Sequence, residues 1–420
     1  MVSFINARGD ARWYVTVFGA RFTMGNALCE AGDCHLNIHN DYYFSTMITA
    51  LHNLRLITDG SIRPGKVILI TDGKIIAISE ESSIPENVTK IDLKGAYVAP
   101  GLLDLQIYGS GGKLFAGTPV VEALERMEND LLAQGTTGFF ATIGTNTPAI
   151  FEQGIAAAKA YRKYAKGNFL GMHFEGPYLN PAKRGAHPAN LIKKGTLDEV
   201  KRWVDSAEGE IKMMTIAPEL QDQEVIAYLH ANGVILSSGH SNASYDEGKA
   251  FLNKPIPAVT HLFNAMPQMH HREPGYIPAI FEERPYTSVV ADGIHVDFAM
   301  IRLAKRELGD KLFLITDAVT AVTEGTYQHQ FTGDRYVMPD GTLSGSCLSM
   351  LKAAQNCVEK VGIDLAEAIN MASLYPAQLA KMPHKGRVAV GCDADLIVFN
   401  DAFEVLGTVF KGEQNMNFTN

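Results

Sequence analysis

The stretch Phe169-Leu-Gly-Met-His-Phe-Glu-Gly-Pro177 is an apolar run that ends in a carboxylate followed by a Gly-Pro break. A segment apolar at successive positions reads as a strand buried on both faces, and such strands belong to parallel sheets covered by helices. The same signature recurs at Leu102-Leu-Asp-Leu-Gln106, Gly138-Phe-Phe-Ala-Thr142, Ile211-Lys-Met-Met-Thr-Ile216, Val234-Ile-Leu-Ser-Ser238, Ala258-Val-Thr-His-Leu262, Ser288-Val-Val-Ala-Asp292 and Leu312-Phe-Leu-Ile-Thr316. Helical patterns fill the gaps, among them Val121 to Ala133 and Leu365 to Leu374, the latter expected to stop at Pro376. About eight strands over roughly 280 residues have the size and rhythm of a (β/α)8 barrel. The predicted fold is therefore α/β, a TIM barrel over residues 98–381.

Working outward, a β-branched run from Lys66 turns at Asp72-Gly73 into a second run, a strong hairpin signal. With Thr89-Lys-Ile-Asp-Leu93 as a third strand, residues 47–97 read as a small antiparallel unit. Asp395-Leu-Ile-Val-Phe399 and the run from Val405 to Phe410 look alike, so 47–97 and 382–420 are expected to form one small β-sandwich domain from both chain ends. Residues 1–46 are held apart as an extension of unknown role. They lack the uninterrupted apolar core of a secretory signal, and Asp10, Glu30, Asp33 and Asp41 are more acidic than transit peptides usually carry. Met47 is expected to lie close to the working start.

With 420 residues, 46% of them hydrophobic and 20% charged, the chain is an ordinary globular one too long for a single core. A net charge of −9 argues against a nucleic-acid partner. No run approaches the ~18 apolar residues of a membrane span. Five Cys without a CxxC pair suggest neither a disulfide framework nor a thiolate zinc site, and point to a reducing, cytoplasmic location.

The strands end in polar groups: His173-Phe-Glu175, Ala217-Pro-Glu219, Gly239-His240-Ser-Asn242, His261-Leu-Phe-Asn264, Asp292-Gly-Ile-His295 and Asp317. In a barrel those ends line the catalytic face. Glu175, His240 and His261 come from three different strands, and one carboxylate with two imidazoles makes an open ligand set for a divalent ion such as zinc. Any one of them alone is better read as a satisfied rim or core residue; their joint recurrence at strand ends carries the weight. An ion held there lowers the pKa of water towards about 7 and polarises a carbonyl. Asp317 is the candidate proton carrier, against an N-cap reading. His187, in Lys183-Arg-Gly-Ala-His-Pro188, and His295 are candidate donors to an oxyanion, although a lone loop His is more often incidental. Asn264-Ala265 and Arg272 suit a phosphate, the alternative for Arg272 being a solvated surface residue.

These segments, with Pro100-Gly-Leu-Leu-Asp-Leu-Gln-Ile-Tyr-Gly109, Gly239-His-Ser-Asn-Ala243, Thr260-His-Leu-Phe-Asn-Ala-Met266, Arg272-Glu-Pro-Gly275, Ala291-Asp-Gly-Ile-His-Val-Asp297, Thr316-Asp-Ala318 and Thr342-Leu-Ser-Gly-Ser346, closely resemble the N-acetylglucosamine-6-phosphate deacetylases of the amidohydrolase superfamily. The resemblance spans about Leu54 to Gly412. It implies hydrolysis of the N-acetyl group of the sugar phosphate, metal ligands at Glu175, His240 and His261, a proton-shuttling Asp317 and a carbonyl-contacting His187. It further implies substrate contacts at Ala186, Asn264, Ala265, Arg272, His295, Leu343, Ser344 and Gly345. In that family the Arg reaches the neighbouring subunit's site, which implies a homodimer, with further association left open. The His-x-His pair usual on the first strand of the wider superfamily is absent, and Gln106 is read as the remnant of a second metal position, so one divalent ion per subunit, zinc, is expected. Rival readings are a deacetylase of the galactosamine epimer and another amidohydrolase acting on a cyclic amide. A silent sugar-phosphate-binding barrel would have lost a ligand or the Asp, and all four positions are filled.

Overall fold

The computed structural model describes residues 48–416 together with four short strands between Asn6 and Thr23. The chain divides into two compact units, Met1–Thr46 and Met47–Asn420. In the first, Asn6–Ala7 pairs with Asp10–Ala11 and Tyr14–Val17 with Ala20–Thr23, both antiparallel. The remainder of the expected extension, and Met47 as a start, lie outside the described residues.

The second unit holds eight strands in one parallel sheet, ordered as in the sequence: β1 (Leu102–Ile107), β2 (Thr136–Gly144), β3 (Phe169–Glu175), β4 (Ile211–Ile216), β5 (Ile235–Ser238), β6 (Ala258–Val259), β7 (Tyr286–Val289) and β8 (Leu312–Leu314). Strands β1 and β2 are buried at every position, Asp104 and Gln106 included, as strands covered on both faces are. Strand β8 is only three residues long, and the chain just beyond it closes the barrel. Asp317 N–H donates to Gln106 O at 2.9 Å, Tyr108 N–H donates to Ala318 O at 2.9 Å, and Ile107 bridges Ala318 in parallel. This is the (β/α)8 barrel expected from the strand rhythm.

Asp104 braces the same seam from inside. Its Oδ1 accepts from the Thr316 and Gln106 backbone N–H groups, each at 3.2 Å, and its Oδ2 accepts from Thr316 Oγ1 at 2.5 Å. Burial pushes this carboxyl up to about 6 against donors that pull it down.

The helix Val121–Ala133 forms as its pattern predicts, burying Ala123, Leu124, Met127 and Leu131. Pro376 does not stop the later helix. The break comes at Ser373, between Leu365–Ala372 and Leu374–Leu379, and Pro376 sits in the first turn of the second helix. In a first turn no intrahelical N–H bond is required, so proline is tolerated there.

Flanking the barrel is a second eight-stranded sheet. Its strands run in the order Glu413–Met416, Val405–Phe410, Leu396–Phe399, Tyr97–Pro100, Thr49–Thr58, Ser61–Thr71 and Lys74–Glu80, with Thr89–Asp92 on a branch beside Thr49–Thr58. Both chain ends thus meet in one sheet through Tyr97–Pro100 and Leu396–Phe399. Asp72 and Gly73 make the two-residue hairpin loop, both with positive φ (48° and 71°), as a type I′ turn requires.

The unit is not purely antiparallel. Thr89–Asp92 and Tyr97–Pro100 both run parallel to Thr49–Thr58. A bulge at Asn53, φ 52°, splits that strand's edge into two halves, and each half takes one short strand. Leu51, Leu56, Ile68, Val98, Leu396 and Val409 make the sheet's own core, while Ile57, Ala99, Ile397 and Phe399 join the barrel's.

Because the folded pKa of Asp104 lies near 6 and its ordinary value is 3.8, this group's stabilising contribution is present at low pH and is lost as pH rises through that interval. An Asp104→Asn variant lacks this dependence. Urea unfolding at pH 5 and pH 7 should therefore show the parent's advantage over the variant shrinking with rising pH; a gap independent of pH would contradict a protonated Asp104 in the fold.

Candidate active site

Local backbone geometry at the strand ends turns the site residues towards one point. Glu175 ends β3, while His240, His261 and Asp317 follow β5, β6 and β8 with φ of 48°, 36° and 53°. Such left-handed conformations cost non-glycine residues on the order of 1–3 kcal/mol each and persist only where surrounding contacts hold them. They open onto a cavity of about 220 Å³, the scale of a small-molecule site rather than a polymer groove.

At its floor lies Glu175, almost fully buried. Oε1 meets His261 Nε2 at 2.9 Å, Gln106 Nε2 at 3.0 Å and His240 Nε2 at 3.4 Å. Oε2 meets His187 Nε2 at 3.2 Å and accepts a hydrogen bond from the Tyr108 hydroxyl. Burial alone would raise this carboxyl, but the imidazoles of His187, His240 and His261 hold it well below the usual range. Burial lowers His261 and, with the neighbouring His240, takes His187 down to about 4. Both rings are therefore neutral near pH 7.

Three imidazoles crowd this carboxylate, and Glu175, His187 and His240 form one group whose ligand atoms all lie within 4.8 Å of one another. Their second ring nitrogens separate their roles. His240 Nδ1 lies 2.8 Å from the Lys183 carbonyl, which can only accept, so the proton is on Nδ1 and Nε2 carries a lone pair. His187 Nδ1 receives the Thr145 backbone N–H at 3.2 Å, so that ring carries its proton on Nε2 and presents a donor. His240 is set up to bind a cation and His187 is not.

The His240 lone pair faces a carboxylate oxygen at 3.4 Å and the His261 Nε2 at 3.1 Å, and His261 Nδ1 is buried without a partner among the described residues. The His240 lone pair and the carboxylate oxygen are two opposed acceptors, stabilised by positive charge between them. The separations of 2.9, 3.1 and 3.4 Å also approach the about 3.4 Å edge of a tetrahedron with ligand bonds near 2.1 Å. Glu175, His240 and His261 therefore fit a divalent ion.

Asp317 stands next to this set. Burial, then the charge of Glu175, push its carboxyl well above the usual range. Gln106 Nε2 donates to Asp317 Oδ1 at 2.7 Å as well as to Glu175. Gln106 is thus a neutral donor between two carboxylates, where a second cation would otherwise be needed. Farther out, His295 Nδ1 meets Asp292 Oδ2 at 2.6 Å and its Nε2 the Ser344 carbonyl at 2.6 Å. Burial would lower His295, yet Asp292 raises it on balance. Ala186, Asn264, Ala265, Leu343, Ser344 and Gly345 line the same cavity.

Arg272 does not. It is exposed on the loop that follows Asn264 and Ala265, outside the cavity lining. His173 and Glu219, strand-end groups expected on the catalytic face, are also absent from the lining, and His173 is bonded inside the barrel to Leu105 O and Thr215 Oγ1.

Three lining residues with polar side chains escaped the sequence reading. Tyr108 lies two positions after Gln106, so the two-residue period of an extended chain could have revealed it. Tyr327 donates to Thr145 O at 2.8 Å, and His329 Nδ1 meets Ser344 Oγ at 2.5 Å. Both come from an irregular segment with no periodicity to read.

Comparison with known proteins agrees with this geometry. The sequence model of the Amidohydrolase family matches residues 97–414. An N-acetylglucosamine-6-phosphate deacetylase of Haemophilus influenzae is 34% identical over 361 residues, covering 83% of this chain and 94% of that protein. An N-acetylgalactosamine-6-phosphate deacetylase of a Shewanella species is 30% identical over 371 residues, covering 86% and 94%. The crystal structure of N-acetylglucosamine-6-phosphate deacetylase from Pasteurella multocida superposes with a TM-score of 0.85 at 33% identity, covering 88% of this chain and all of that one. With an eight-stranded barrel, a carboxylate and imidazoles converging at its mouth, and this likeness along most of its length, the chain belongs to the amidohydrolase family.

Proposed function

We propose that this protein hydrolyses the N-acetyl group of N-acetylglucosamine 6-phosphate, releasing acetate and glucosamine 6-phosphate. The observation that carries the reading is the opposed tautomers of His240 and His187. One presents a lone pair to a cation and the other an N–H to a substrate oxygen, on either side of a single buried carboxylate. The family likeness supplies the substrate class.

Glu175, His240 and His261 would hold one zinc ion per subunit, which when bound supplies Lewis acidity and lowers the pKa of water towards about 7. Asp317, fixed by Gln106 through one oxygen, takes a proton from the attacking water and delivers it to the departing amine nitrogen. Its burial beside Glu175 favours the proton-bearing form that the second half of that task needs. His187, kept neutral by burial, donates its Nε2–H to the acetyl oxygen as negative charge develops. Ala186, Asn264, Ala265, His295, Leu343, Ser344 and Gly345 hold the sugar and its substituents.

Arg272, exposed beyond its own cavity, serves the phosphate in the site of a second copy, making a homodimer with shared sites. The terminal sheet, residues 47–97 and 382–420, is read as a domain distinct from the barrel of residues 98–381. A cytoplasmic setting suits the free thiols of Cys347, Cys357 and Cys392, and no helix among the described residues is long and apolar enough to cross a membrane. The likeness to the Shewanella protein favours one second reading, the galactosamine 6-phosphate epimer as substrate.

Acetate release from the two N-acetylhexosamine 6-phosphates decides between the readings. Activity should vanish on chelation and return with zinc, and metal analysis of active enzyme should find one zinc per subunit; two at full occupancy would refute the single site. Asp317→Asn should lower kcat by about 10²–10⁴-fold with its zinc retained, and a near-normal kcat would remove Asp317 from the proton path. Arg272→Ala should chiefly raise KM for the phosphorylated sugar. Equal parental activity on unphosphorylated N-acetylglucosamine would overturn the phosphate assignment.

A further inference from the structure

Glu219 sits behind the cavity, in the turn Pro218–Leu220 that follows β4. Its Oε1 accepts from Asn180 Nδ2 at 3.0 Å and from the Asn242 backbone N–H at 2.8 Å, and its Oε2 accepts from Ser241 Oγ at 2.8 Å. Asn242 and Ser241 directly follow His240, whereas Asn180 belongs to the loop after β3 that leads to His187. One carboxylate therefore ties together two loops that carry site residues.

The tie continues to the His240 ring. Asn180 N–H donates to the His240 carbonyl at 3.0 Å, and Asn180 Oδ1 caps the turn Pro181–Lys183 by accepting from Ala182 N–H at 3.0 Å. The carbonyl of Lys183, the last residue of that turn, receives His240 Nδ1–H at 2.8 Å. Glu219 thus restrains His240 twice, through the backbone that follows it and through the acceptor that sets its tautomer. A residue held at φ 48° needs such restraint.

We propose that Glu219 is a positioning residue for His240, one that sets the direction of the Nε2 lone pair and with it the strength of metal binding. The proposal rests on the reading of His240 as a metal ligand. Partners of this kind behind a ligating histidine typically change metal affinity by about 10–100-fold when removed.

The test measures zinc affinity of the metal-stripped full-length protein against a competing chelator, without substrate. Glu219→Ala should bind zinc about 10–100-fold more weakly. Glu219→Gln, which turns one acceptor towards N–H and O–H groups as a donor, should fall between it and the parent. Ser241→Ala, which removes one of the three Glu219 contacts along with the acceptor of the Ala243 N–H, should weaken binding by a smaller step and answers the question if Glu219→Ala does not fold. Zinc affinity within about twofold of the parent in both Glu219→Gln and Ser241→Ala, whatever their melting temperatures, would overturn the proposal. His240→Ala separates the two ideas. Parental affinity in that variant sinks the ligand reading, whereas loss there with no change in the Glu219 and Ser241 variants sinks the positioning role alone.

Discussion

A single carboxylate that must stay ionised out of water governs this structure. Removing Glu175 from solvent costs several kcal/mol unless donors surround it, and the fold supplies three, the Gln106 amide, the Tyr108 hydroxyl and the His187 Nε2–H, with the rings of His240 and His261 placed to share a cation with it. Donors and ligands together come from β1 and its end and from the loops after β3, β5 and β6, so charging one group recruits half the barrel's circumference. Asp317, a second carboxylate at the same mouth, has no comparable shell beyond Gln106 among the described residues, and its carboxyl moves the opposite way. Two acids close together thus differ through their surroundings alone, one kept as an anion and the other able to carry a proton.

Beneath these groups a polar layer runs through the barrel interior. The Leu105 carbonyl can only accept, so His173 donates from Nδ1 and must accept at Nε2 from Thr215 Oγ1, 2.7 Å away. Thr215 Oγ1 then accepts from Thr260 Oγ1 at 2.8 Å, which in turn accepts from Ser237 Oγ at 2.6 Å. Every hydroxyl in this run has one assigned direction, and burial brings His173 down to about 4, so the layer carries no charge. A fully satisfied polar layer of this kind rigidifies its surroundings. Its members sit on or next to β3 to β6, and Glu175, His240 and His261 are carried two residues past His173, three past Ser237 and one past Thr260.

Legibility from sequence tracked how local each determinant is. Barrel strands were readable because burial on both faces leaves an unbroken apolar run, and the ligand set because polar residues interrupt those runs where strands end. The Asp72-Gly73 turn was readable because a two-residue loop makes its φ demand on two adjacent residues. By contrast, Thr89–Asp92 runs parallel to its neighbour because a bulge at Asn53 opens half an edge, a pairing decision made some 40 residues away. Pro376 misled because a proline in a first turn looks like one after a last turn. His187 and His240 are the same residue type in loops of the same rim, and only the atom opposite Nδ1, an amide in one case and a carbonyl in the other, tells a donor from a ligand. The hydrogen-bonded run from Glu219 through Asn180 to Lys183 is similarly a product of three loops meeting.

The sheet that joins the two chain ends sets a timetable for biosynthesis. Tyr97–Pro100 pairs on one side with Thr49–Thr58 and on the other with Leu396–Phe399. Nearly 300 residues separate Pro100 from Leu396, and at about 5–20 residues per second a ribosome needs roughly 15 to 60 s to make them. Throughout that interval Val98 and Ala99, fully buried in the finished protein, stand on an open strand edge of the kind that pairs promiscuously with other chains. The nascent protein is therefore most exposed to misassembly while its barrel is being made, and the last strands to emerge remove the hazard.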